Sequence, residues 1–405
     1  MRNVPKLRFK EFTDEWEEKK LGEISDVSKL AGFEFTNYVI YEDTGEIIAL
    51  RGLNIKNNKL ELNDVKYIDK SDFSKLERSK LYKNDLMFTY VGTIGEVALI
   101  PEEDKFYLAP NVCRIRSTDK INAKYLLFVF NSNVIKNEIY KYLTTTSQPA
   151  LSMENIRKFL IKLPCFNEQE KIADFLSSID KKISITEEKL NLFKEYKKGI
   201  MQKIFNQEIR FKDENGNDYP EWKEKKLGDI LIKNKEKNKE NKYNLVQSIS
   251  NKYGFVNQDE YFEDRRVASK DLKNYYVAQK KLFAYNPSRI NVGSLAYKKE
   301  NSISVISPLY VSFYTKKEEL IDIFLLNWFF SLPFIKQMSC SFEGSVRNNL
   351  SYETLSNFII NVPCLEEQKK IADFLSAIDT KIEKISDELE NLKEFKKGLL
   401  QQMFV

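Results

Sequence analysis

The chain has 405 residues, 42% of them apolar and 31% charged, which is long for one core, comfortable for two, and too apolar for a disordered protein. Its formal net charge is only +5, so contact with a polyanion has to come from local clusters of charge and not from the field of the whole molecule. It contains no histidine, which removes Ser–His–Asp and Cys–His catalysis, HExxH zinc sites and histidine general bases together.

In chain order, "RFKEFTDEWEEKKLGEI" (8–24) opens a first globular region. Short apolar or alternating runs follow: "EIIAL" (46–50), "VKYI" (65–68), "LMFTYV" (86–91), "EVALI" (96–100) and "VCRIR" (112–116), all predicted strands. Between the first two lies "RGLNIKNNK" (51–59), which offers Arg51, Lys56, Asn57, Asn58 and Lys59 in a turn-like context. Arg and Lys suit guanine edges and phosphates, and Asn suits adenine; the same run also reads as a solvated hairpin. Tyr90 and Thr93 stand beside Gly92 and Gly95 in a second candidate contact loop. One helix is predicted over "NAKYLLFVFNSNVIKNEIYKYL" (122–143). The loop "TTTSQPALS" (144–152), with Ser147 and Gln148, leads to a helix start at Ser152 and a last strand, "FLIKL" (159–163). Such a hydroxyl- and amide-rich loop before a helix N-terminus suits a phosphate, and is also ordinary turn chemistry.

A long helix is predicted over 168–205, and from there the order repeats. "RFKDENGNDYPEWKEKKLGDI" (210–230) restates the opening, with a four-residue insertion around "ENGN" that reads as a turn. The lysine-rich "KNKEKNKENK" (233–242) supplies Lys233 and Lys235, suited to phosphate or simply solvated. "DRRVASK" (264–270) supplies Arg265 and Arg266, and "NPSRINVG" (286–293) supplies Asn286, Ser288 and Arg289. A helix is predicted over "EELIDIFLLNWFFSLPFIKQM" (318–338). "FEGSVRNNLS" (342–351), with Ser345, Arg347 and Asn348, precedes a helix start at Ser351 and the strand "FIINV".

The second long helix, 367–404, matches the first at 21 of 38 positions at an offset of 199. Apolar residues fall at alternating spacings of three and four. They are Leu176, Ile179, Ile183, Leu190, Phe193 and Ile200 in the first copy, and Leu375, Ile378, Ile382, Leu389, Leu392 and Leu399 in the second. Thr186 interrupts the first seam, and Lys197 and Lys396 interrupt both. Each helix is about 57 Å long at about 1.5 Å per residue. Two such rods in one chain are expected to pack on each other, antiparallel if the halves are related as in a closed dimer. The alternative is that each helix packs only on its own domain.

The interiors, 25–146 and 231–345, share only weak echoes. A repeated frame around different contents implies a fused dimer. Its expected fold class is α/β (α+β): two globular domains in a pseudo-twofold arrangement, separated by two long antiparallel coiled-coil helices. The boundaries are 1–164 and 207–363 for the domains, and 165–206 and 364–405 for the helices.

Other motifs are informative by absence. GxGxxG, GxxxxGK[ST] and the paired prolines of adenine methyltransferases do not occur. Cys113, Cys165, Cys340 and Cys364 form no CxxC pair, so no metal site is expected; Cys165 and Cys364, each after a proline, are expected to be buried. No apolar run reaches membrane-spanning length and the N-terminus has no signal-peptide core, so a cytoplasmic location is expected.

Two variable regions, each closed by "P-C-x-x-EQ-x-K-I-A-D-F-L", resemble the specificity (S) subunit of type I restriction–modification enzymes. The matching residues are Pro164, Glu168, Gln169, Ile172 and Ala173, and again Pro363, Glu367, Gln368, Ile371 and Ala372. The "W…KKLG-[ED]-I" segments at Trp16–Ile24 and Trp222–Ile230 add to the likeness, which spans the chain. The resemblance implies that each variable region is a target recognition domain reading one half of a split site in double-stranded DNA. It implies helices that set the spacing and dock two methyltransferase subunits, with restriction subunits joining them. S-adenosylmethionine, ATP and magnesium would then belong to the partners, and this chain would hold no cofactor and no catalytic residue. The alternatives are a free-standing enzyme on DNA, which the missing motifs disfavour, and a coiled-coil scaffold with two protein-binding heads.

Overall fold

The computed structural model describes residues 4–143, 149–258, 271–342 and 348–405. They form two compact units, one of Met1–Glu188 with Asp387–Val405 and one of Lys189–Ser386. Each unit therefore contains the first part of one long helix and the last part of the other. The helices run Phe166–Phe205 and Leu365–Gln402.

The two units are built to one plan. In the first, Glu17–Lys20 pairs antiparallel with Leu160–Leu163. In the second, Lys223–Lys226 pairs in the same way with Ile359–Val362. A four-stranded antiparallel sheet follows, in the order Ser25–Lys29, Val112–Ser117, Leu86–Thr89, Val97–Leu99. Its counterpart is Leu231–Lys233, Val311–Thr315, Phe283–Tyr285, Leu295–Tyr297. A second sheet places Ile48–Leu50 parallel to Phe106–Leu108, and in the other unit Val246–Ser250 parallel to Ser304–Ile306. The interiors that share little sequence thus share their sheet topology. Among the described residues the second unit adds one strand, Tyr276–Ala278, and the first adds a hairpin, Ile55–Lys56 with Lys59–Leu60.

Glycine in the "KKLG" segments has a steric reason. A Cβ at Gly22 would lie 3.1 Å from the Arg157 side chain, and one at Gly228 would lie 3.1 Å from both Cβ and backbone oxygen of Ser356. Each opening segment is thereby laid directly on the short helix, Met153–Arg157 or Tyr352–Ser356, that precedes the last strand. The insertion around "ENGN" is a turn closed by the Asp213 N–H donating to the Asn217 carbonyl at 2.9 Å, with Gly216 at φ 84°.

Two expectations are corrected. Each single predicted interior helix is two helices, Ala123–Asn131 with Asn133–Tyr142, and Asp322–Trp328 with Leu332–Phe342. The break is a buried serine: Ser132 and Ser331 each donate a hydroxyl to a carbonyl three residues earlier, Val129 and Trp328, at 2.6 Å. Ser132 also accepts from the Val134 N–H, capping the next helix. The second correction concerns Cys165, which is exposed, and Cys364, which is half-buried. They stand at the start of the long helices, where their carbonyls accept from the Gln169 and Gln368 N–H groups at 3.1 and 2.9 Å. The buried positions of that turn go to the Glu–Gln pair instead.

That pair anchors each long helix. Glu168 and Glu367 are fully buried. Arg8 meets Glu168 with two bonds of 2.8 Å, and Arg210 meets Glu367 at 3.3 and 2.9 Å. Gln169 accepts from the Asn122 N–H and donates to the Lys120 and Pro164 carbonyls. Gln368 repeats this with Ile321, Glu319 and Pro363.

Within each unit the helices run antiparallel. Asp180 and Glu187 meet Lys396 and Lys393 in the first unit; Lys197 meets Asp379 in the second, where Lys381 lies over Phe193. The two lysines that interrupt the seam thus make one recurring pair, Lys197–Asp379 at 2.6 Å and Lys396–Asp180 at 2.5 Å. Thr186 is buried, its hydroxyl turned back to the Lys182 carbonyl at 2.8 Å. Of the seam residues, Leu176, Ile179, Leu190, Leu375, Ile378 and Leu399 are buried, and Ile183, Phe193, Ile200, Ile382, Leu389 and Leu392 are half-buried. The seam ends inside the domain cores. Leu399, Met403 and Phe404 join Trp16, Tyr125 and Phe128 in the first unit, and Met201, Ile204 and Phe205 join Phe324 and Trp328 in the second.

Candidate nucleic-acid interface

In the first unit "RGLNIKNNK" folds as a hairpin of Ile55–Lys56 against Lys59–Leu60. Asn57 and Asn58 take φ of 50° and 65°, the left-handed values of a two-residue I′ turn that asparagine tolerates. The Asn57 N–H donates to the Glu96 carboxylate at 3.0 Å, which ties this turn to the Gly92–Gly95 loop. That loop is itself pinned by the Thr89 hydroxyl, donating to the Thr93 carbonyl at 2.6 Å. Between the turn, the loop and the helix Asn133–Tyr142 lies a cleft of about 630 Å³, lined among others by Asn57, Asn58, Gly95, Lys136 and Tyr140. Lys56, Lys59 and Thr93 are exposed near it, and Tyr140 is 76% exposed at its rim. Arg51 is not part of this group. Its guanidinium donates to the Asp64 carbonyl and carboxylate at 2.8 and 3.0 Å and holds its own loop.

Tyr90 is half-buried, and burial raises its phenol above the ordinary value. Lys29 lies over its ring, 5.6 Å from the centre. Ser147 and Gln148 lie outside the described residues, as do Arg265, Arg266, Ser345 and Arg347.

In the second unit the lysine-rich run is held in place by its asparagines. Asn234 is buried and donates to the Val277 carbonyl and Ser312; Asn238 is buried and exchanges two bonds with Tyr243. Lys233 and Lys235, on either side of Asn234, face solvent. Lys233 reaches Glu353 at 3.0 Å and lies 4.9 Å from the centre of the Tyr352 ring. Hydrogen bonding from the Glu353 backbone N–H and from Lys233 holds the Glu353 carboxyl below its usual range. Lys233, Pro287, Asn349, Ser351 and Tyr352 share a cleft of about 210 Å³. Asn286 closes a turn by accepting from Ser288 at 3.1 Å and Arg289 at 3.0 Å, leaving Ser288 and Arg289 exposed; Asn348 is exposed as well.

Strand register finds a residue that sequence reasoning missed. Lys29 pairs with Cys113, which pairs with Phe88; Lys233 pairs with Phe313, which pairs with Phe283. Phe88 and Phe283 each stand two residues before a tyrosine, so Lys29 is the counterpart of Lys233. Only the cross-strand pairing reveals this. The Ser152 and Ser351 hydroxyls cap their own short helices, accepting at 3.0 and 3.1 Å. These surfaces offer amides, ammonium groups and an exposed tyrosine, a set suited to phosphates and base edges. Among the described residues no group of acidic or cysteine side chains is placed to hold a metal, and no helix is long and apolar enough to cross a membrane.

A family model described as "Type I restriction modification DNA specificity domain" matches residues 13–195 and again 219–394. The chain is 24% identical to the type I restriction enzyme MjaX specificity subunit of Methanocaldococcus jannaschii, over 98% of this chain and 95% of that protein. It is 25% identical to the EcoBI specificity subunit of Escherichia coli, over 34% of this chain and 31% of that one. Among solved structures, the S subunit of a type I restriction–modification system from M. genitalium aligns over 99% of both chains, with a TM-score of 0.57 and 16% identity. A chain from a study of complex assembly and conformational transition in the type I R-M system aligns over 95% of this chain and 96% of that one, with a TM-score of 0.54 and 17% identity. Both share the fold.

Proposed function

Because the chain belongs to the type I restriction–modification DNA specificity family, we propose that each of its two units reads one half of a bipartite site in double-stranded DNA. The long helices set the distance between the half-sites and dock two methyltransferase subunits, and restriction subunits join that assembly. The chain performs no chemistry of its own. S-adenosylmethionine, ATP and magnesium act on the partner subunits.

One observation carries this reading. The two units keep one sheet plan and one helix anchorage, while the exposed turns on that plan differ: Asn57–Asn58 beside Gly92–Gly95 in one, and Pro287–Arg289 beside Lys233 in the other. A common frame with unlike surfaces is what two readers of unlike sequences require. Proximity to Tyr90, Tyr352 and exposed lysines supports contact with the phosphate backbone at both.

Exchange of the interior tests it. Replacing residues 231–345 by the matching interior of another family member is expected to change one half of the methylated site and leave the other half and the spacing intact. A change in both halves would contradict independent reading.

A further inference from the structure

We propose that Leu309 selects one base pair of the second unit's half-site, by an apolar contact with the 5-methyl group of a thymine. The inference rests on the functional reading above and adds to it a residue and the base that it selects.

Leu309 is 80% exposed, more than any other large apolar side chain among the described residues. Neither the core nor the local turn accounts for it. It stands at the apex of a connection, 307–310, between the strands Ser304–Ile306 and Val311–Thr315. The Tyr310 N–H donates to the Ser307 carbonyl at 3.1 Å, and the Leu309 N–H donates to the Ser307 hydroxyl at 3.3 Å. Ser307 and Pro308 are residues that a tight turn selects, but the place after them ordinarily goes to Gly, Asn, Asp or Ser. Tyr310 packs on the cluster around Ile249 and Ala284. The turn is thus anchored at its base and holds the leucine out into solvent.

The surroundings choose the occupant. Leu309 shares the cleft of Lys233, Asn349 and Ser351. Val311–Thr315, the strand that the turn leads into, pairs with Leu231–Lys233. A lone apolar tip among an ammonium, an amide and a hydroxyl is a poor match for the apolar core of a protein interface. It matches a major-groove edge, where the thymine methyl is the one apolar group among hydrogen-bonding atoms and phosphates lie alongside. The first unit differs at the same connection. There it spans only 109–111 and ends in Asn111, exposed and at φ 72°. The Tyr90 N–H donates to the Asn111 carbonyl at 3.2 Å, which sets that residue beside the tyrosine under Lys29. An amide makes no comparable apolar contact, so the methyl requirement belongs to the second unit's half-site.

The test is a binding cycle on the full chain in complex with the proposed methyltransferase subunit. The probe is a duplex carrying the site mapped from methylated adenines in cells, with each thymine of that half-site replaced in turn by uracil, which lacks only the methyl group. At one position uracil is expected to weaken binding of the wild-type complex about fourfold, the worth of one buried methyl group. Leu309→Ser is expected to bind the thymine duplex at least about fourfold more weakly and to make the same uracil silent. Its melting temperature should stay within about 2 °C of wild type, because the side chain supports no core. Equal sensitivity to uracil in both proteins overturns the inference, as does a half-site in which no uracil matters. A variant that binds more weakly while every uracil is silent also overturns it, and makes the leucine a wedge between base steps. Failure of the wild-type complex to bind a bipartite site at all would instead overturn the functional reading, and the inference with it.

Discussion

Glu367→Ala is expected to cost the chain about 3–5 kcal/mol of stability, the range for removing one member of a buried ion pair. The Glu367 carboxylate is fully buried and receives three donors: Arg210 Nε at 3.3 Å, Arg210 Nη2 at 2.9 Å and Trp222 Nε1 at 3.1 Å. A guanidinium stays protonated with or without a partner, so Arg210 cannot shed its charge when the carboxylate is gone. The indole N–H loses its partner at the same time. At roughly 2–4 °C per kcal/mol for a unit of this size, the loss should read as a fall of about 10 °C in the melting temperature. Glu168→Ala should cost less. Arg8 loses the same bidentate contact, but the Trp16 indole N–H makes no hydrogen bond among the described residues and has none to lose. Equal and small losses in both variants, below about 1 kcal/mol, would show that the Glu–Arg pairs are surface-like in energy.

Residues 1–206 expressed alone are expected to form a homodimer with two identical reading units. The reason lies in how the cores are completed. The first unit takes Leu399, Leu400, Met403 and Phe404 from the end of the second helix, and the second unit takes Ile200, Met201, Ile204 and Phe205 from the end of the first. These are the same positions at the offset of 199, and all eight residues are apolar. Phe404 lies against Tyr125 with ring centres 5.6 Å apart, and Phe205 against Phe324 at 5.3 Å. A lone half-chain leaves its core open at Tyr125, and the end of a second copy supplies the missing residues with little change in volume. Lys197 of that copy can also take the place of Lys396 opposite Asp180. The dimer should be weaker than the native pairing, because Thr186 stands where the other helix has Ile385 and buries less apolar surface. Expressed with the methyltransferase, it should direct methylation to an inverted repeat of the first half-site at about the parent spacing. A folded monomer by sedimentation, or methylation at the parent's asymmetric site, would refute the fused-dimer account.

Much of this frame was legible in the sequence because it is written twice. The offset of 199 exposes the long helices, the opening segments and the last strands by internal comparison, and the three–four spacing of Leu176 to Ile200 identifies a seam without any alignment. The Glu–Gln string could be recognised but not understood: that Gln169 reaches Asn122 and Lys120 is a contact across almost fifty residues. Helix periodicity carried through Ser132 and Ser331, and only the buried hydroxyls show why the helix breaks there. The cysteines were misjudged because proline before a helix said nothing about which side chain of the first turn faces inward. The proposed reading surfaces were the least legible. Arg51 has the composition of a DNA contact and is spent on Asp64, while Lys29 lacked any sequence signal and is placed by register beside Tyr90. Charge and amide content select candidates, but burial and cross-strand pairing decide which of them face outward.

The most direct test is a genome-wide map of methylated adenines in cells that carry this chain together with the proposed methyltransferase subunit, compared with cells from which only this chain has been removed. The account predicts methylation at a bipartite sequence, two specified half-sites separated by a spacer of fixed length and no sequence preference, that disappears entirely with the chain. Methylation that persists without the chain, or that marks one uninterrupted sequence, would contradict it.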